Sequence, residues 1–117
     1  MSDLRFPKYL HLRRNADFDA VYKLRCSASD AWLGLSVRPN GLDFSRLGLS
    51  VSRRYGGAVQ RNRLRRLYRE AFRLDRHELP GGLDLVMMPR SPNEPTLAVV
   101  RNSLSALAWK LARRAGL

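Results

Sequence analysis

The strongest constraint on the fold is the segment 58–75, AVQRNRLRRLYREAFRLD, where apolar and cationic residues recur with a helical period. At about 100° per residue, one arc of roughly 80° collects the apolar side chains, which are Leu64, Leu67, Ala71 and Leu74. The opposite arc carries Arg61, Asn62, Arg65, Arg66, Arg69 and Arg73, with Arg63 at the boundary. The pattern predicts an amphipathic helix that needs a core on one side and is cationic on the other.

The remaining segments alternate between helical and strand patterns, and their order predicts the fold class. Two further helices are predicted over 15–25 and 96–114, and strands over 32–38, 47–51 and 83–89. With 117 residues and no internal repeat, the chain is expected to form one domain over 1–117. We predict an α+β two-layer sandwich in the order α-β-β-β-α-β-α, with helices packed on a roughly four-stranded mixed sheet.

Single residues refine these elements. Asn15 is predicted to be the N-cap of the first helix. In the second strand, Leu47, Leu49 and Val51 alternate with small residues, as expected when one face of a strand is buried. The last helix is predicted to bury one stripe, formed by Leu97, Val100, Leu104, Leu107 and Leu111.

The charge of the chain indicates its class of partner. Lysine and arginine number 22 against 10 acids, which gives a net charge of +12. Like charges at i, i+4 on a helix, such as Arg61, Arg65 and Arg69, repel one another. A bound polyanion reverses the sign of that energy and releases counterions. The cationic face therefore predicts a nucleic-acid interface.

Other features limit the alternatives. The single cysteine, Cys26, allows neither an internal disulfide nor a zinc site of paired cysteines, and it fits a reducing compartment. No stretch approaches the ~20 apolar residues that span a bilayer, and the first residues do not have the pattern of a signal peptide. We therefore expect a cytoplasmic protein without a membrane partner.

The run RLGLSVSRRYGGAVQRNRLRRLYREAF resembles the signature of the bacterial ribonuclease P protein component. In that family a strand GLSVSKK leads through a turn of small residues into AVxRNRxKRxxRE, and the matching segments here are 48–54 and 58–70. The earlier segment LRRNADFDAVYK is similar to the family's opening. Strand, paired basic residues, small turn and RNR helix in this order are specific to the family.

The resemblance implies an endoribonuclease subunit, part of the ribonucleoprotein that removes the 5′ leader of precursor tRNA. Its implied partners are the catalytic RNA and precursor tRNA, with no small-molecule substrate. The RNA is the implied catalyst, so the chain itself is expected to hold no catalytic residue, metal or cofactor, and Mg²⁺ is required by the holoenzyme. The residues expected to face the catalytic RNA are Arg53, Arg54, Arg61, Asn62, Arg63, Arg65, Arg66 and Arg69.

The resemblance also implies a cleft between the first helix and the sheet, where the single-stranded leader lies. Aromatic side chains suit unpaired bases because every base has a face to stack on. The residue pattern alone leaves a core position open for Phe18 and Trp32, and Leu35 stands where an aromatic is expected. The residues expected to line this cleft are Phe18, Tyr22, Trp32, Leu35, Ser50 and Ser52.

Two other functions remain compatible with the sequence. The first is a ribosomal or chaperone-type RNA-binding protein, which composition alone does not exclude. The second is a nuclease that acts without RNA. The two histidines, His11 and His77, are far apart in sequence, and the acids show no paired motif of a metal nuclease, so a protein-based active site is not expected.

Overall fold

The computed structural model describes residues 6–116, which form three helices and one four-stranded sheet. The helices are α1 (Asn15–Leu24), α2 (Ala58–Asp75) and α3 (Leu97–Arg114). The strands are β1 (Cys26–Ser29), β2 (Leu33–Pro39), β3 (Arg46–Leu49) and β4 (Leu83–Pro89). The predicted class and the order α-β-β-β-α-β-α are confirmed. No helix within this part of the chain is long and apolar enough to cross a membrane.

The sheet has the strand order β1-β2-β4-β3 and is mixed. β2 pairs antiparallel with both β1 and β4, whereas β3 runs parallel to β4. A parallel pair needs a crossover connection, and α2 provides it between β3 and β4. The arginine-rich helix is therefore held against one face of the sheet by the connectivity of the chain.

The two faces of the sheet carry different helices. Leu35, Leu85 and Met87 lie in the main core, which also contains the buried side chains of α2 and α3. Val86, between the last two, points to the other face and packs with Val21 of α1. The two-layer description thus applies to the sheet with α2 and α3, while α1 covers part of the opposite face.

The buried stripe of α2 differs from the predicted one. Leu64 and Ala71 are buried as expected, but Tyr68 and Phe72 are also fully buried. Leu67 is only half-buried, as is Leu74. The helix is rotated about its axis because its core side must contact both the sheet and α3, and the two large aromatic rings fill that corner.

Three smaller predictions are corrected. α1 begins at Asn15, so the N-cap position is Arg14, and no side chain caps the helix there. β3 ends at Leu49, before the predicted end at Val51. The strand β1, which directly follows α1, was not predicted because it has only four residues, all with small side chains. The predicted stripe of α3 is confirmed at Val100, Leu104, Leu107 and Leu111.

Candidate nucleic-acid interface

A turn at Gly56 connects the paired basic residues Arg53 and Arg54 to the start of α2. Arg53 and Arg54 lie exposed in a 3-10 turn, Arg53–Tyr55, with the guanidinium of Arg54 5.3 Å from the ring centre of Tyr55. Gly56 has a φ of +120°, and a Cβ there would lie 2.8 Å from Cβ of Gln60. Only glycine fits this position, which lets the chain turn from the 3-10 segment into α2.

The outward side of α2 forms what we call the arginine ridge, defined by Asn62, Arg63, Arg65, Arg66 and Arg69. Arg66 and Arg69 are exposed and make no ion pair with any residue between 6 and 116. Arg65 donates through Nη1 to Oδ1 of Asn62 over 2.9 Å, which adds no negative charge. The ridge therefore carries positive charge that the described protein does not neutralise.

Within the described chain, one acidic residue contacts the ridge itself. Nη1 of Arg63 lies 3.5 Å from Oε2 of Glu94, and both side chains are more than half exposed. Exposed pairs of this kind contribute little to stability. Next to the ridge, Arg73 donates through Nε to Oε2 of Glu70 over 3.0 Å. This hydrogen bond lowers the pKa of Glu70 and keeps that carboxylate engaged.

Arg61 is left out of the ridge because its Nε is enclosed by the protein, and its predicted contact with the RNA stays a prediction. It is half-buried, and its Nε is buried without a hydrogen-bond partner among the described residues. The rotation of α2 explains the difference, because burial of Tyr68 and Phe72 turns position 61 toward the protein. The other predicted RNA-facing residues, Arg53, Arg54, Asn62, Arg63, Arg65, Arg66 and Arg69, lie at least partly exposed.

Beside the ridge lies an open groove of about 740 Å³. One wall is formed by α2, and the other by Phe6 and His11 from the segment before α1. The lining residues of α2 are Asn62, Arg65, Arg66 and Arg69 of the ridge, together with the paired Glu70 and Arg73. Their rings are stacked, with centroids 3.9 Å apart and planes inclined by 19°. This aromatic pair was not predicted from the sequence, because nothing in the local pattern brings the first residues to α2.

Phe18, which was predicted to line the leader cleft, lies on the α1 face of the sheet. A Cβ at Gly48 would lie 2.7 Å from Cζ of Phe18, so the ring rests directly on the β3 backbone. Tyr22 follows one helical turn later, with its ring centre 6.4 Å from that of Phe18, and is 41% exposed. Ser50 is exposed just past the end of β3, where its amide donates to the carbonyl of Met87 over 2.9 Å.

Leu35 is not a cleft residue, and the prediction for it was wrong. It is 1% exposed, pairs with Met87, and belongs to the core beneath α2 and α3. Because side chains alternate along a strand, its neighbour Ser36 faces α1 instead. Ser36 lies opposite Val86, which packs with α1.

The remaining cleft candidates lie at the ends of the strands. Trp32 is half-buried just before β2, and its carbonyl accepts a hydrogen bond from the amide of Arg90 over 3.1 Å. Ser52 is exposed and precedes the 3-10 turn that carries the paired arginines. Both residues stay candidates for the leader cleft.

The sequence did not predict the buried carboxylate of Asp84, which lies on the α1 face of the sheet. Asp84 is 0% exposed and accepts hydrogen bonds from Arg46 at 2.8 Å, from Asn40 at 3.0 Å and from Arg38 at 3.1 Å. Arg38 also lies 3.5 Å from Asp17 of α1. Burial alone would raise the pKa of Asp84, but the hydrogen bonds from Arg46 and Asn40 outweigh it and lower the pKa. The cluster ties α1 to the sheet.

The donor atoms needed for a metal site do not come together in the structure. Across residues 6–116, no three histidine, cysteine, aspartate or glutamate side chains are placed to hold a metal ion. Asp84 is fully engaged by two guanidinium groups and an amide. Cys26 is half-buried at the edge of the core, with its Sγ 3.9 Å from the carbonyl oxygen of Leu111.

Comparison with known proteins assigns this arrangement to a family. The family model for Ribonuclease P matches residues 6–112. The ribonuclease P protein component of Methylococcus capsulatus is 44% identical over 88 residues, which cover 74% of this chain and 68% of that protein. The protein of the same name from Thermotoga maritima is 40% identical over 85 residues, 73% of each chain.

Solved structures agree with this assignment. The RNase P protein from Thermotoga maritima superimposes with a TM-score of 0.78 at 34% identity, covering 86% of this chain and 96% of that one. The RNase P protein of Staphylococcus aureus gives a TM-score of 0.75 at 31% identity, covering 89% and 95%. With the strand, glycine turn and arginine-bearing helix in the order the sequence predicted, the chain belongs to the ribonuclease P protein component family.

Proposed function

We propose that this chain binds the ribonuclease P RNA along the arginine ridge and holds the 5′ leader of precursor tRNA in the cleft beneath α1. The observation that carries the proposal is the pair Arg66 and Arg69, exposed on the ridge with no ion pair in the described chain. An RNA strand along the ridge would supply the missing negative charge at each of these positions.

Electrostatics explains why such a subunit would assist the reaction. Precursor tRNA and a catalytic RNA are both polyanions and repel each other at low ionic strength. A chain with a net charge of +12 reduces that repulsion when it lies between them. Its contribution should therefore be greatest where magnesium is scarce, since fewer counterions are then available for the same purpose.

The leader cleft adds a contact with the substrate, beside the contact of the ridge with the catalytic RNA. Phe18 is anchored on Gly48, and the exposed ring of Tyr22 stands beside it. A single-stranded leader offers unpaired bases that can stack on these rings, whereas a mature tRNA has no leader. This contact favours the precursor over the product.

In this proposal the hydrolysis itself belongs to the RNA. Mg²⁺ prefers several oxygen ligands, and the described residues do not assemble a carboxylate group that fits it. The chain's own part is to bind and orient the two RNA molecules. The Mg²⁺ required for the chemistry would be held by RNA phosphates when the holoenzyme is assembled.

Reconstitution tests the function against its two alternatives. The full chain is mixed with a ribonuclease P RNA and precursor tRNA at limiting magnesium, and the rate of leader release is measured. The proposal predicts faster cleavage than with RNA alone, and no cleavage by the protein alone. A ribosomal or chaperone-type protein would leave the rate unchanged, and a self-sufficient nuclease would cleave without the RNA.

A further inference from the structure

The groove beside the arginine ridge has an aromatic wall that phosphate binding does not explain. Phe6 stacks on His11 and also contacts Phe72 of the core, with ring centres 5.2 Å apart. The main chain of His11 forms a bridge with Leu47, and the following amide, of Leu12, donates to the Leu47 carbonyl over 2.8 Å. The aromatic pair is therefore fixed both by the core and by the edge of the sheet.

The imidazole of His11 is suited to stacking on a base rather than to carrying a positive charge. Burial lowers the pKa of His11, and the neighbouring positive charges of Arg13 and Arg69 lower it further, against the opposing effect of its hydrogen bond with the Phe6 backbone. The lowered pKa favours the uncharged imidazole. A neutral aromatic surface facing guanidinium groups resembles the combination that binds single-stranded nucleic acids, where bases stack and phosphates meet arginine.

The dimensions and the opposite wall fit a nucleotide. The groove measures about 740 Å³, and sites for small organic ligands fall between roughly 300 and 1,000 Å³. Across from the aromatic pair stand Arg66 and Arg69, which have no ion pair within the described chain. A base against the rings would therefore place its phosphate within reach of cationic side chains.

We propose that this groove binds one unpaired nucleotide of the ribonuclease P RNA, with the base stacked on the Phe6–His11 pair and the phosphate held by Arg66 and Arg69. That the bound RNA is the ribonuclease P RNA rests on the proposed function. That a nucleotide binds here rests on the shape and the side chains of the groove. The site is separate from the leader cleft, which lies beneath α1 on the other face of the sheet.

Affinity and its salt dependence distinguish stacking from charge. Binding of the full chain to the ribonuclease P RNA is measured over a series of salt concentrations. Replacing His11 by alanine should weaken binding by roughly 5- to 150-fold, the range expected for one stacked base, with an unchanged salt slope. Arg66→Gln should instead reduce the slope by about 1. The matched control Arg113→Gln removes the same charge from α3, outside the groove, and tests for a loss of net charge alone.

A conservative variant keeps the test independent of folding. His11→Phe retains a flat ring and should bind the RNA nearly as well as the original chain, provided that both variants show the same thermal unfolding midpoint. Equal losses in His11→Ala and His11→Phe would overturn the stacking role. No loss in either variant would overturn the site itself.

Nuclear magnetic resonance gives a readout at the site that does not depend on the holoenzyme. The chain has only two histidines, so the imidazole signals of His11 and His77 are readily separated. A short single-stranded RNA should shift the His11 signal by the ring current of a stacked base, and an abasic oligonucleotide with the same number of phosphates should not. Equal shifts with both would contradict stacking. A shift with RNA, combined with no effect on ribonuclease P cleavage, would keep the groove and reject the proposed function.

Discussion

At the scale of single residues, Asp84 organises the contact between α1 and the sheet. It is a fully buried acid in the otherwise apolar strand β4, and two arginines and an asparagine engage its carboxylate. Such a charge is tolerated inside a protein only when its partners are present. Because Arg38 also reaches Asp17 of α1, the carboxylate helps to set the position of the helix that carries Phe18 and Tyr22.

Replacing Asp84 by asparagine should destabilise the chain by about 3–5 kcal/mol, since two guanidinium groups then lose their counter-charge. Urea unfolding at neutral pH measures the change. Asp43→Asn is the matched control, because Asp43 is exposed and its replacement should alter stability by less than about 0.5 kcal/mol. Equal stabilities for the two variants would contradict the assigned role of Asp84.

The same carboxylate predicts how stability depends on pH. The pKa of Asp84 in the folded chain is lower than its ordinary value of 3.8, so the unfolded chain binds the proton more readily. The stabilisation is therefore complete above pH 4 or so and is lost as the pH falls through the lowered folded pKa. Urea midpoints measured from neutral to acidic pH should show this acid loss in the original chain and less of it in Asp84→Asn.

At the scale of elements, α2 performs two tasks on opposite sides. Its inner side fills the corner between sheet and α3 with Tyr68 and Phe72, and its outer side concentrates arginine. Arg69 is three or four positions from Arg65, Arg66 and Arg73, so it takes part in three repulsive pairs on the helix surface. Without bound RNA, the chain would be more stable if Arg69 carried no charge.

Arg69→Gln should therefore change stability and binding in opposite directions. Glutamine and arginine have similar helix propensities, and removing three like-charge pairs should stabilise the free chain by a few tenths of a kcal/mol per pair at low salt. Thermal unfolding at low and high salt checks this, because screening should abolish the gain. A destabilised variant would mean that Arg69 has a structural partner.

The helix α1 carries the second element-scale prediction, through Tyr22. Because its ring is exposed, Tyr22→Ala should preserve the fold but weaken binding of precursor tRNA to the holoenzyme by roughly 5- to 150-fold. Mature tRNA should bind as before, since it has no leader. Tyr22→Phe keeps the ring and serves as the control. Equal losses for precursor and mature tRNA would indicate that Tyr22 does not contact the leader.

At the scale of the whole molecule, local periodicity in the sequence predicted the bounds of the long elements and the buried side of α3. The bounds of α2 and β4 agree with their predicted ranges, and the burial of Leu104, Leu107 and Leu111 follows the predicted stripe. The helical and strand repeats of the apolar residues are sufficient for this, since each element needs one continuous buried side.

What could not be predicted depends on contacts between distant segments. The rotation of α2, which buries Phe72 and partly withdraws Arg61, is set by packing against both the sheet and α3. The stacking of Phe6 on His11 beside the ridge depends on where the first residues cross the edge of β3. Leu35 was assigned to the wrong face because an error of one residue reverses every side chain of a strand.

The charge distribution of the molecule leads to the most direct test. Most of the arginine ridge has no compensating acid in the described chain, so we expect a bound polyanion to supply the compensating charge. The measurement is the slope of log K against log salt for binding of the full chain to ribonuclease P RNA, compared with an Arg66→Gln, Arg69→Gln double variant. Loss of two phosphate contacts should make the slope shallower by about 2 and weaken binding at moderate salt. An unchanged slope, with unchanged affinity, would contradict the account.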